Sequence, residues 1–246
     1  MSAYGAITTR TSAASPLPST TWRLASKRPD APKHLSLHHI TLQTAQKFPG
    51  LLDYLHRVFA DELERGQTYP QEILPGETYT RTQFDAYWFA ADVLIAVTGL
   101  PTSDGAADPL DAPDGSQIQI GFAEAVEGRA WEDCIAGCYY VKPNYPGRSS
   151  HICNAGFLVP PSQRGLGIGT VLARSYLWYG PRLGYEASVF NLVYVNNVAS
   201  IKLWEALDFT KAGRIPRAGR LRKADGSGEE YVDAWVFYRR FDPSAV

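Results

Sequence analysis

The sequence predicts a single domain of the α/β or α+β class. Three observations carry that expectation. Short runs of β-branched and aromatic residues interleave with segments of helical periodicity along the chain. No long repeat recurs. A Gly-rich turn at 163–170 joins an apolar strand pattern to a helical one. The 246 residues are enough for one sizeable core, and 45% apolar with 20% charged residues is an ordinary globular composition.

The bulk properties exclude several classes. A net charge of -1 argues against general affinity for nucleic acid or an anionic membrane surface. The longest apolar run, 93–97, reads as a strand and falls far short of the ~18 residues of a membrane span. Cys134, Cys138 and Cys153 make no disulfide framework, which points to a reducing intracellular compartment. Cys134 and Cys138 have poor spacing for zinc, so no metal is expected. Before Asp30 there is no acidic residue, while Arg10, Arg23, Lys27 and Arg28 sit among Ser and Thr. That composition resembles a mitochondrial transit peptide, but a loose N-terminal tail over 1–20 is the simpler reading. The expected compartment is the cytoplasm, with the mitochondrion as the alternative.

Thr21, Trp22, Arg23 and Leu24 open a first strand. Leu51, Leu52, Leu55, Val58, Phe59 and Leu63 recur at three- and four-residue steps between Pro49-Gly50 and Arg65-Gly66, predicting a helix. A second helix runs from Thr80, a candidate N-cap, to Trp88. Segments 92–99, 118–123, 136–141, 151–159, 189–195 and 232–241 read as strands, and 199–207 as a helix. Residues 100–118, with three acidic clusters carrying Gly or Pro, read as a surface loop. Residues 142–147 read as a turn.

The chemistry sits in Arg164-x-x-Gly167-x-Gly169. Glycines there let backbone N–H groups face one concavity, and the following helix adds the positive end of its dipole. Together these suit a pyrophosphate. No Gly-Lys-Ser/Thr ending marks a P-loop. Glu186 lies near the distance a dinucleotide fold requires, but the glycine spacing is wrong for one. The pattern resembles the coenzyme A loop of the GNAT superfamily. Segment 197–209, with Asn197, Leu203, Trp204 and Phe209, resembles the Asn…Leu-Tyr…Gly-Phe segment found late in GNAT domains. The resemblance implies acetyl-CoA as cosubstrate and a strongly twisted mixed sheet with helices on both faces. It also places the cofactor where strands 151–159 and 189–195 splay apart. Asn197 would contact the pantetheine arm, though Asn is equally a helix cap. The family's usual Tyr is Trp204 here, whose indole N–H is a poor acid. No Glu or His base stands out, and His151 is the only histidine near the motifs.

The departure at 204 points to a subgroup. Tyr140, Lys142, Pro143, Asn144 and Tyr145, then Ser150, His151, Cys153, Asn154, Gly156 and Phe157, resemble the fungal azetidine-2-carboxylate N-acetyltransferases. So do Phe190-Asn191-Leu192-Val193, the 66–71 segment and 86–89. The resemblance implies that Asn154 and Asn191 are catalytic and hold the substrate's carboxylate and ring nitrogen, with Leu192 beside them. Main-chain groups of Phe157, Leu158 and Val159 would pair with pantetheine amides, and Arg164, Gly165, Leu166, Gly167, Ile168, Gly169 and Thr170 would bind the pyrophosphate. Tyr69 and Tyr145 would line the pocket, with core packing the competing role for Trp88. The partner is then a small amino acid, and the subgroup implies a homodimer, to which Trp235 and Phe237 of the closing strand could contribute. Two other readings stay open: a GNAT enzyme for a polyamine, antibiotic amine or protein N-terminus, and a non-catalytic acyl-CoA-binding module.

Overall fold

The computed structural model describes residues 16–29, 31–99 and 112–242. In chain order these form β1 (Thr20–Arg23), β2 (His34–Ile40), α1 (Leu42–Ala45), α2 (Leu51–Arg65), α3 (Arg81–Trp88), β3 (Asp92–Thr98), β4 (Ser116–Gln117), α4 (Phe122–Val126), α5 (Trp131–Cys134), β5 (Ile135–Pro143), β6 (Ile152–Leu158), α6 (Ile168–Arg182), β7 (Ala187–Tyr194), α7 (Val198–Ala206), β8 (Thr210–Arg222) and β9 (Glu229–Arg240). One sheet carries all the described strands, in the order β4-β1-β2-β3-β5-β6-β7-β9-β8. Every neighbouring pair is antiparallel except β6 with β7, which is parallel. The mixed sheet with helices on both faces is therefore present.

Strand alternation explains the two-faced core. In β3, Leu94 and Ala96 join Leu35, Leu37, Tyr139 and Tyr176 on the face covered by α6 and α7. Val93, Ile95 and Val97 join Leu51, Leu55, Phe59 and Trp88 on the face covered by α2 and α3. Each fully buried aliphatic or aromatic side chain contributes about 1.5–3 kcal/mol. The α3 start is fixed by the capping box of Thr80 and Gln83, and α2 ends at left-handed Gly66.

The decisive feature lies between β6 and β7. Their ladder holds only at Ile152 with Ala187 and Cys153 with Ser188, after which the strands part. Tyr176 of α6 ties the closed end, its hydroxyl 2.6 Å from Ser188 Oγ and 3.0 Å from Cys153 Sγ. Above it, the Phe157 and Phe190 rings flank Trp204 of α7, with centroids 5.3 and 4.4 Å from the indole. Aromatic bulk from both strands and a helix fills the base of the fork.

Several expectations change. Strand β2 is unforeseen because His34, Ser36, His38 and His39 make it look polar, yet all seven of its residues are buried. Two of its histidines have partners: His38 lies between Ser19 Oγ at 2.8 Å and Ser36 Oγ at 2.9 Å, and His39 Nε2 is 2.9 Å from Asp92 Oδ1. Burial lowers the His38 pKa to about 3, so its ring is neutral. Residues 118–123 are not a strand, because Phe122 starts α4 and packs inward against Phe48 and His38. Residues 1–15 of the expected tail lie outside the described residues. The rest is ordered by contacts: Leu17 donates its N–H to His39 Nδ1, and Thr20 already belongs to β1. Of the loop, 100–111 lies outside the described residues, and the remainder turns back so that β4 pairs with β1. Strand β8 is also unforeseen and forms the sheet edge, so β9 is internal. Phe237 is fully buried in the core and unavailable to a partner. Among the described residues no helix is long and apolar enough to cross a membrane, and no cluster of His, Cys, Asp and Glu could hold a metal.

Candidate active site

Where β6 and β7 part, a cleft of about 860 Å³ opens. One end is the glycine loop. Gly165 and Gly167 have φ of 76° and 89°, the left-handed region that glycine enters without strain. Gly167 is also the N-cap of α6 and has no side chain to satisfy the first-turn N–H groups. A Cβ built on Gly165 or Gly169 would meet no protein atom within 4 Å. Protein packing therefore does not demand glycine at 169; a ligand approaching the backbone would. Thr170 lines the same end, while the Leu166 and Ile168 side chains are buried in the core and leave only their main chain for contact.

Arg164 is held by protein groups. Its Nε donates to Val159 O at 3.2 Å and its Nη2 to Glu62 Oε2 at 2.6 Å. Glu62, projecting from α2, also accepts from Thr68 Oγ1 at 2.7 Å and Arg65 Nη1 at 3.1 Å. Burial pushes the Glu62 carboxyl up, but the Thr68 and Arg164 hydrogen bonds and the two guanidinium charges outweigh it and leave it below its usual value. A carboxylate with a depressed folded pKa stabilises the fold above its unfolded pKa of about 4.3, and that stability is lost as pH falls through the folded value. We expect Glu62→Gln to melt lower than the parent at pH 6, with the gap closing as pH is lowered toward 3.5. A constant gap in melting temperature across that range would contradict this.

The other end is amide-rich. Asn144 Oδ1 accepts from Asn154 Nδ2 at 3.0 Å and from Asn191 Nδ2 at 2.7 Å. Asn144 Nδ2 returns a bond to Asn191 Oδ1 at 3.3 Å, and Tyr145 Oη reaches the same oxygen at 3.5 Å. Asn191 and Leu192 fall in a β-bulge, since β7 advances from Phe190 to Val193 while β9 steps only from Phe237 to Trp235. The bulge re-aims these side chains toward the cleft, which both line. Asn154 faces Lys142 across the β5–β6 ladder. The Lys142 ammonium lies 3.9 and 4.1 Å from the Tyr87 and Tyr140 ring centroids and donates to Tyr87 O at 3.3 Å. Burial lowers its pKa to about 8.

Tyr140 can lie over β6 only because residue 156 lacks a side chain. An added Cβ there would sit 2.5 Å from Tyr140 Cε1. Tyr140 is buried, with its hydroxyl 2.8 Å from that of Tyr87 and its ring edge-on to Trp88. It cannot give way cheaply, so Gly156→Ala is expected to cost about 1–3 kcal/mol. That corresponds to about 2–4 °C of melting temperature for each kcal/mol in a chain of this size, and an unchanged melt would contradict the clash.

The other expected residues are placed as follows. Tyr69 lines the cleft and donates its hydroxyl to Phe157 O at 2.8 Å; burial raises its pKa well above the usual phenol value. Phe157 and Val159 thus carry carbonyls already engaged by Tyr69 and Arg164, each with a second lone pair remaining. Leu158 faces β5, its carbonyl close to Gly137. Asn197 lines the cleft and caps α7, accepting from Ser200 N–H at 3.1 Å, so both of its readings are compatible. Trp204 is buried and borders the cleft. His151 sits in a turn outside the cleft lining, against Arg148 O, and Trp88 is wholly core. The sequence assigned no site role to Asn144, Lys142, Tyr87 or Glu62, although the first three fall in segments that carry the resemblance. Asn144 and Lys142 looked like turn residues, and Glu62 like one more polar position on a helix; only the pairing of distant segments gives them roles.

Comparison with known proteins agrees with this geometry. Residues 109–209 match the acetyltransferase (GNAT) family. The N-acetyltransferase aca1 of Schizosaccharomyces pombe is 43% identical over 180 residues, 73% of this chain and 75% of that protein. A GCN5-related N-acetyltransferase from Kribbella flavida superposes with a TM-score of 0.58 at 21% identity, covering 83% of this chain and 97% of its own. A phosphinothricin acetyltransferase from Sinorhizobium meliloti, solved in complex with acetyl-CoA, superposes with a TM-score of 0.56 at 13% identity, covering 84% and 88%. With a forked parallel strand pair, a glycine-lined helix start and a relative this similar over most of both chains, the protein belongs to the GNAT family of acetyltransferases.

Proposed function

We propose that the protein transfers the acetyl group of acetyl-CoA to the nitrogen of a small amino acid, in particular a cyclic secondary amine such as azetidine-2-carboxylate or cis-4-hydroxyproline. The observation that carries this is the Asn144 bridge, which locks Asn154 and Asn191 side by side at the end of the cleft away from the glycine loop. Carboxamides can donate to a carboxylate and accept from an amine without carrying charge. Held rigidly, they supply orientation, a large share of the catalysis acyl transfer needs.

Residues fit acetyl-CoA at both ends of the cleft. The open space at Gly165 and Gly169 and the first turn of α6 suit a diphosphate. The Phe157 and Trp204 rings and the side chain of Asn197 border the path to the amide-rich end. When bound, acetyl-CoA supplies an activated thioester carbonyl. The chain's part is to exclude water with its apolar walls, place the amine with Asn154 and Asn191, and direct main-chain N–H groups at the fork toward developing negative charge. Trp204 gives no proton and Tyr69 already donates to Phe157 O; the Tyr87 and Tyr140 phenols, kept neutral by burial, use one proton for the bond between them and leave the other as a donor within the same cleft. That favours an enzyme over a non-catalytic acyl-CoA module.

Measuring thioester loss from acetyl-CoA with azetidine-2-carboxylate, a polyamine, an aminoglycoside and a peptide N-terminus as acceptors tests the reading. Turnover confined to the imino acid is expected. Turnover only with another amine, or binding without turnover, refutes it. The homodimer belongs to the same proposal; light scattering in solution decides it, with β8 the exposed edge available for an interface.

A further inference from the structure

We propose that Lys142 forms the anion subsite of the acceptor pocket and selects substrates that carry a carboxylate beside the reacting nitrogen. The inference rests on the amino-acid reading above and names the charge that would enforce it.

Lys142 lines the cleft beside Asn154, on the strand that pairs with it. Its surroundings are built for an ammonium ion: the faces of Tyr87 and Tyr140 at 3.9 and 4.1 Å, and the Tyr87 carbonyl at 3.3 Å. Among the described residues no acidic side chain pairs with it. Glu62, the acidic residue of the cleft lining, is engaged by Arg164, Arg65 and Thr68. A half-desolvated cation without a counter-ion, beside two amides with N–H donors, matches a carboxylate. Burial lowers the lysine pKa only to about 8. The protonated form therefore predominates at pH 7, which suits an anion partner better than a role as proton acceptor. An amine bearing no anion would bring a second positive charge to the same wall of the cleft, where like charges repel. Polyamines are disfavoured for the same reason.

The test compares azetidine-2-carboxylate with azetidine, which lacks only the carboxylate. We expect Lys142→Gln and the size-matched Lys142→Met to lower kcat/KM for azetidine-2-carboxylate about 10²-fold, the scale of a lost charge-assisted hydrogen bond. The value for azetidine should hold or rise, because the repelling charge is gone. Equal losses for both acceptors would show that the lysine acts on the amine or only holds the site together, and would overturn the inference. So would undiminished preference for the carboxylate. A measurement on the parent enzyme covers the case in which the variants do not fold. Cyclopentanecarboxylate should protect the acetyl-CoA complex against thermal unfolding, and cyclopentanecarboxamide should not; equal protection by both counts against the subsite. Should the parent acetylate neither azetidine nor its carboxylate, the proposed function fails, while the protection experiment still judges Lys142.

Discussion

Asn144→Ala should leave the protein folded and able to bind acetyl-CoA, yet lower kcat with azetidine-2-carboxylate by about 10²-fold. Its Oδ1 is the common acceptor for Asn154 and Asn191, at 3.0 and 2.7 Å. Alanine at 144 would leave both carboxamides free to rotate, and either could then present its oxygen where a donor is needed. Asn144 acts through its neighbours as a positioning residue. The loss should therefore appear in kcat with little change in acetyl-CoA affinity or melting temperature. Asn191→Ala removes one of the positioned amides outright and should cost as much or more, about 10²–10³-fold. Full turnover in the Asn191 variant would eliminate the proposed role of the pair. A matched loss of melting temperature and acetyl-CoA binding in the Asn144 variant would reduce that residue to a strand-end brace.

The second large effect concerns Gly169. Gly169→Val should weaken acetyl-CoA binding about 10²-fold, equivalent to about 2.7 kcal/mol. The ligand-free protein should be as stable as the parent to within about 0.5 kcal/mol. Both halves follow from one observation: a Cβ at 169 meets no protein atom within 4 Å, so the new side chain occupies only the space above the backbone. Gly167 provides the contrast. Its φ of 89° is left-handed, so alanine there strains the chain by about 1–2 kcal/mol and should lower stability together with affinity. Calorimetric titration with acetyl-CoA alongside thermal melts separates the two. If Gly169→Val bound acetyl-CoA as well as the parent, the diphosphate would not lie over that turn.

Segments whose own residues declare their environment were legible without coordinates. The α2 stripe from Leu51 to Leu63 has helical spacing and buries as a unit, and the five-residue apolar run of β3 reads by its shortness and branched residues as a strand buried on both sides. The glycine loop was legible for the same local reason: positive φ at 165 and 167 is a demand on single residues. Strands β2 and β8 were not. His38 and His39 of β2 are accommodated in the core only when Ser19 and Asp92 are brought to them. Strand β8, with Gly213, Pro216 and Gly219 among five basic residues, has the composition of a loop and extends because β9 lies beside it.

The sequence by itself thus determined the family, the order of the main helices and strands, and the expected anion-binding turn, because each is encoded in neighbours along the chain. Tertiary structure alone decided where the fork opens, how the β7 bulge turns Asn191 toward the cleft, that Lys142 of β5 and Glu62 of α2 converge on that cleft, and that Asn144, just after β5, bridges Asn154 and Asn191. The physical reason is that hydrogen-bond partners, burial and the lack of an acidic partner for Lys142 among the described residues arise between segments far apart in the chain, and no local pattern records them.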